Sequence, residues 1–340
     1  MKILSLCPNM SGVDYHRLYK PLMRMQIDNP EVEIYMAQGR GLPDLQGYDL
    51  ILFNRDLGKD HYPFLQKVAE LGIPYIVDID DFWRLPKYHH ANKYFRKNDT
   101  TNAIKDAIRY AAGVTTTTEK LAAEIRPLNH NVSIIPNAIE WTDEQWAVVK
   151  EPSEKLRFGW VGGITHENDL NMIADAVNVC IEKYDIEFHL CGYMPHEPIW
   201  ERIAKKFTAV TLHQGVPVNE YGKLYANFDI ALAPLEETKY NSMKSELKMI
   251  ECAEYKLPLI ASDVAPYNQH EKNNGILFTK NTTSDWINAM QLFIFTKSLA
   301  SKYGDSNYAY CHAFFDIEHI NYKRLQFYER ICKSTTKDRA

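Results

Sequence analysis

Between Tyr240 and Glu251 the chain reads Tyr-Asn-Ser-Met-Lys-Ser-Glu-Leu-Lys-Met-Ile-Glu. At about 100° per residue, Met243, Leu247 and Ile250 form one apolar stripe of a helix predicted over 242–255, and Lys244, Lys248 and Glu251 share another face. Asn241 or Ser242 caps that helix, leaving free amides and the positive end of the dipole beside Lys244 and Ser245. Two ammonium groups at such a tip suit a diphosphate, and a carboxylate two turns along suits ribose hydroxyls. The plainer reading is a solvated face with a Lys248–Glu251 pair, worth about 0.2–0.5 kcal/mol.

Four further stretches carry chemistry. Gly159-Trp-Val-Gly-Gly-Ile-Thr-His166 ends an apolar run. Its paired Gly162 and Gly163 permit close backbone approach to a ligand, and His166 can donate to a phosphate or sugar hydroxyl or simply cap a helix. No GxGxxG dinucleotide fingerprint is present. Pro8-Asn-Met-Ser-Gly12 turns into a helix carrying His16 and Arg17, where Gly12 lets amides approach an anion or merely makes a turn. Asp78-Ile-Asp-Asp-Phe-Trp83 holds a DxD that either binds a divalent metal or, as we expect, turns Asp78 inward and leaves Asp80, Asp81 and Trp83 to face an acceptor. Residues 84–97 interleave Arg84, Lys87, Lys93, Arg96 and Lys97 with Tyr and Phe. That segment suits a nucleic acid or another anionic acceptor, or is a mobile surface loop.

Parallel sheets place ligands beyond the carboxyl ends of their strands, and the elements predicted around these motifs do the same. Apolar runs at 2–7, 32–37, 48–53, 75–79, 113–117 and 132–135 are strand-like, and helical spacing fills 14–26, 61–71, 102–112 and 119–125, with Asp14 as an N-cap. A second series of strands starts at 156–161, 186–191, 210–212, 229–233, 257–262 and 275–278, with helices that include 169–184 and 219–227. The alternation predicts an α/β protein of two Rossmann-like domains facing a cleft. The expected division is residues 1–140 (acceptor side), 150–315 (donor side) and a C-terminal helix, 316–340, packing back on the first domain.

Composition bounds the function. Lys plus Arg is 39 against 44 Asp plus Glu, a net charge of −5, so the whole molecule is no electrostatic clamp for DNA. The six cysteines lack CxxC or zinc spacing and read as scattered buried thiols. No run reaches the roughly 18 apolar residues of a membrane span, and no signal-peptide pattern opens the chain, so a cytoplasmic protein of unknown oligomeric state is expected.

GWVGG-T-H at 159–166, IIPNAI at 134–139 and KSELKMIECAEYKLPLIASDVAPY at 244–267 together resemble retaining glycosyltransferases of the GT-B fold, family 4 type. The resemblance covers nearly the whole length. It implies that Glu251 holds the donor ribose, that the preceding helix start faces the diphosphate, and that the Gly12 turn reaches the donor. Two departures stand out: Met243 replaces a second glutamate, and Gly163 and Asn168 stand where a cationic Arg and Lys are usual. Lys244, helped by Arg17 and with His166 nearby, is then expected to supply the positive charge. The implied reaction moves a sugar from a nucleotide-sugar donor to a hydroxyl of a glycan, a lipid-linked sugar or, less in keeping with the motifs, a modified DNA base. It retains anomeric configuration and needs no cofactor or metal. The alternatives are a nucleotide-sugar 2-epimerase of the same fold and a non-catalytic nucleotide-sugar or nucleic-acid binding protein.

Overall fold

The structure is a computed structural model that describes residues 1–7, 11–39, 41–270 and 272–337. Its contacts divide the chain into two units. The first comprises Met1–Ile139, Met243–Ser245 and Phe315–Ala340, and the second Glu140–Ser242 and Glu246–Phe314.

In the first unit, β1 (Lys2–Leu6), β2 (Glu33–Ala37), β3 (Leu50–Asn54), β4 (Tyr75–Ile79), β5 (Gly113–Thr116) and β6 (Val132–Ile134) form one parallel sheet in the order β2-β1-β3-β4-β5-β6. The inner strands are nearly continuous apolar runs because helices cover both faces. β3 reads Leu-Ile-Leu-Phe-Asn and buries its first four residues. The crossovers contain α1 (Gly12–Asp14), continued by a π turn (Tyr15–Tyr19) into α2 (Lys20–Asp28), then α3 (His61–Leu71), α4 (Asn92–Lys97), α5 (Thr100–Tyr110) and α6 (Glu119–Ile125). Ser11 caps α1, and the Asp14 carboxylate returns a bond to the Ser11 amide. Asp14 is therefore the third residue of a capping box and not the N-cap, because the cap lies three residues earlier than the apolar spacing suggests.

The second unit repeats the pattern. β7 (Leu156–Val161), β8 (Ile186–Tyr193), β9 (Thr211–Gln214), β10 (Ile230–Ala233), β11 (Leu259–Ser262) and β12 (Ile276–Thr279) form a parallel sheet in the order β12-β11-β10-β7-β8-β9. Its helices are α7 (Glu167–Lys183), α8 (Pro198–Ala204), α9 (Leu247–Ala253), α10 (Thr283–Phe295) and α11 (Ser298–Phe314). The predicted helix over 219–227 is instead a 3-10 helix, Val218–Asn227. Trp160, Trp200, Trp286 and Phe293 anchor the core of this sheet.

The last helix, α12 (Ile317–Lys337), belongs to the first unit, where Phe327, Tyr328 and Ile331 pack on Ile3, Leu18 and Leu22. All six cysteines are free, and all but Cys332 are fully buried. No helix among the described residues is long and apolar enough to cross a membrane.

Candidate functional site

In the second unit the strand order reverses at β7, and a doubly wound sheet opens its ligand crevice at that switch point, outside the carboxyl ends of the strands. Gly162 and Gly163 leave β7 there. A Cβ on Gly162 would lie 2.5 Å from the Trp160 ring and 2.9 Å from the Lys248 ammonium, whereas one on Gly163 would meet nothing within 4 Å. Gly192, at the end of β8, has φ +102, and a Cβ there would lie 2.2 Å from the Gly162 carbonyl oxygen. Glycine is thus required at 192 by conformation and by space. Gly163 leaves its backbone open.

Lys248, on α9, donates to the Val161 carbonyl and lies 4.7 Å above the centre of the Trp160 ring. One turn further, Glu251 is only 2% exposed. Its Oε2 accepts a 2.6 Å hydrogen bond from the Tyr225 hydroxyl. Burial raises the Glu251 carboxyl from 4.5 to about 7, against the lowering effects of Tyr225 and of Lys248. Burial, reinforced by the neighbouring carboxylate, pushes Tyr225 well above the ordinary phenol value, so it remains a donor.

His166 closes a 3-10 turn (Ile164–His166), and its Nδ1 is 2.7 Å from Asp169 Oδ2. The other oxygen of Asp169 accepts from the Glu236 amide at 2.7 Å and from Asn241 Nδ2 at 3.4 Å. One buried carboxylate therefore ties the turn after β7 to the loop after β10. It also places a proton on His166 Nδ1.

In the first unit Arg17 is 2% exposed. Its Nε and Nη2 donate to the two oxygens of Asp78 at 3.0 and 2.8 Å, and its Nη1 donates to Asn137 Oδ1 at 3.1 Å. Burial disfavours the guanidinium charge, but Asp78 outweighs it and raises the arginine above its usual value. Asn137 Nδ2 in turn donates to Ser245 Oγ at 2.8 Å. Asp80 and Asp81 share Arg55, which bonds both Asp80 oxygens at 2.7 Å and Asp81 Oδ2 at 3.0 Å. No group of three or more His, Cys, Asp or Glu side chains arranged to hold a metal is found among the described residues.

Residues 155–294 match the family model of the glycosyl transferases group 1. That segment is similar to group 1 glycosyltransferases. The whole chain has the GT-B fold of solved glycosyltransferases. Sucrose-phosphate synthase from Thermosynechococcus elongatus is 14% identical with a TM-score of 0.73, over 98% of this chain and 100% of that one. Anabaena HepE in complex with UDP-glucose is 13% identical with a TM-score of 0.68, over 99% of this chain and 100% of that one. A mutant of S. aureus TarM, in complex with fondaparinux, alpha-GlcNAc-glycerol and UDP, is 16% identical with a TM-score of 0.60, over 82% of this chain and 55% of that one. No curated protein matches the sequence.

Several placements differ from the sequence expectations. The helix expected from residue 242 is a 3-10 turn over Asn241–Met243, with α9 starting only at Leu247. Neither Asn241 nor Ser242 caps α9; Glu246, 3% exposed, holds the cap position without a side-chain cap bond. Asn241 instead bonds Asp169 and the Glu236 carbonyl, and Ser242 bonds the Lys239 carbonyl. Lys244 and Ser245 fall to the first unit, whereas Lys248 and Glu251 belong to the second. Glu251 lies on the buried side of α9, so the shared open face does not form. Arg17 is not a free cation but half of a buried ion pair, and Trp83 is 4% exposed, packed on Phe82 in place of facing an acceptor. Gly12 is exposed at the start of α1, and Pro8, Asn9 and Met10 lie outside the described residues. Asp78 does turn inward.

Asp169, Tyr225, Arg55 and Asn137 were not singled out by residue type. The three-residue spacing from His166 to Asp169 at a helix start was an available signal for the first. Asn137 stands inside the IIPNAI motif. Tyr225 and Arg55 carry no local signal, because their partners lie 26 and 25 residues away.

Proposed function

We propose that the protein transfers a sugar from a nucleotide-sugar donor to an acceptor hydroxyl with retention and without a metal. In this reading the acceptor oxygen bonds to the anomeric carbon as its bond to the phosphate oxygen breaks, and that oxygen takes the acceptor proton. The observation that carries the proposal is the cluster at the β7 switch point, within the matched segment: the open Gly163 backbone, Lys248 beside Gly162, and the sealed Glu251–Tyr225 pair. The Gly163 backbone and Lys248 would receive the diphosphate, with His166, oriented by Asp169, beside them. Glu251, sealed against Tyr225, would hold the ribose end of the crevice in shape from beneath. HepE in complex with UDP-glucose, which shares the fold, supports a uridine nucleotide as the first donor to try. Lys244 is proposed to assist the departing phosphate.

The test is donor binding followed by turnover. UDP-glucose and related donors should raise the melting temperature by mass action, and Glu251→Ala should abolish the rise. Product analysis with a glycan acceptor should show release of the nucleoside diphosphate and an α-linked product from an α-linked donor, unchanged by a chelator. Conversion of the donor sugar with no acceptor present would instead identify an epimerase.

A further inference from the structure

The first unit has its own crevice. Its strand order reverses at β1, and outside the carboxyl ends of β1 to β3 lies a cavity of about 940 Å³. Gly39 and Gly41, at φ +91 and +95, line it, and a Cβ on either would meet nothing within 4 Å, so bare backbone faces the opening. Asp56, Lys59 and Asp60 line it too. So do Tyr94 of α4 and Asn98, which follows that helix. The same short helix carries Lys93, Arg96 and Lys97, and the turns before it carry Arg84 and Lys87. All five cations are exposed. None has an ion-pair partner among the described residues, in a protein whose net charge is −5. Lys93 and Lys97 stand one helical turn apart beside the Tyr94–Asn98 face, with Tyr94 itself 56% exposed.

We propose that this surface binds an anionic glycan as the sugar acceptor. The proposal rests on the transferase reading and names its substrate class. A neutral terminal sugar enters the cavity, where the two carboxylates accept from its hydroxyls and Tyr94 offers a face to the ring. The carboxylate or sulfate groups of the following sugars pair with Lys93, Arg96 and Lys97. The charge pattern selects this occupant over a nucleic acid: Asp56 and Asp60 outnumber the one lining cation among the described residues, Lys59, so a hydroxyl-bearing unit is bonded there where a phosphodiester would meet two carboxylates.

The test is fluorescence polarisation on the full chain with four labelled probes: a polygalacturonate oligomer carrying a neutral glucose at its non-reducing end, a maltodextrin of equal length, single-stranded DNA and a 20-base-pair duplex. The polygalacturonate oligomer should bind at least tenfold more tightly than maltodextrin, and the preference should fade when salt is raised from 50 to 300 mM. The triple variant Lys93→Ser, Arg96→Ser, Lys97→Ser should lose tenfold or more, and the single variant Lys97→Glu, which disturbs the helix less, should lose part of it. Polygalacturonate binding indifferent to both variants would overturn the proposal. So would tighter binding of either DNA through the same three cations. No donor is needed for this measurement, so failure of the transferase reading would appear separately, as absent stabilisation by nucleotide sugars.

Discussion

A carboxyl group sealed from water releases its proton late even when a phenol donates to it, and Glu251 is such a group. Its ordinary value of 4.5 rises to about 7 in the fold, so the folded protein holds this proton more tightly than the unfolded chain does. The resulting stability is fully present below about pH 4.5 and is lost as pH rises to about 7. Glu251→Gln should remove this descent, which urea titrations at pH 5, 6 and 7 will measure. At Arg17 and Asp78 the arithmetic differs, since each charge offsets the burial of the other. Asp78→Asn should cost about 3–5 kcal/mol in urea unfolding, and replacing both partners by apolar residues should cost less.

The elements around the site divide into positions that admit no added atom and positions that do. Gly192→Ala combines a positive φ with a 2.2 Å approach to the Gly162 carbonyl oxygen. It should destabilise the second unit by roughly 2–6 kcal/mol in thermal or urea unfolding. Gly163→Ala meets open space, so stability should change by less than about 0.5 kcal/mol while nucleotide-sugar affinity falls, as calorimetry would show. At α1, Ser11→Ala removes the side-chain half of the capping box and should cost about 1 kcal/mol, read from urea denaturation.

At the scale of the whole molecule, a helix far along the chain completes the first unit. Phe327, Tyr328 and Ile331 of α12 share a core with Ile3, Leu18 and Leu22, and Ile317 and Ile320 pack on Ile135 and Ala138. A chain ending at Phe314 should therefore lose cooperative melting of the first unit by circular dichroism, because that apolar surface would face water.

The alternation of apolar runs and helical spacing already determined two parallel α/β sheets, because period and run length are local properties that burial on both faces imposes on each strand. The place of the glycines after β7 and the inward turn of Asp78 were legible for the same reason: each follows a strand end. Which side chains are spent on one another was not. Arg17 meets Asp78 across 61 positions, Tyr225 meets Glu251 across 26, and Asp169 joins Asn241 across 72. A cation or carboxylate looks available in the sequence until the fold brings its partner to it. The start of α9 was likewise decided by tertiary packing, which buries Met243 and Glu246 and delays the helix by five residues. Spacing specifies what a residue can do, and long-range contact decides whether it is free to do it.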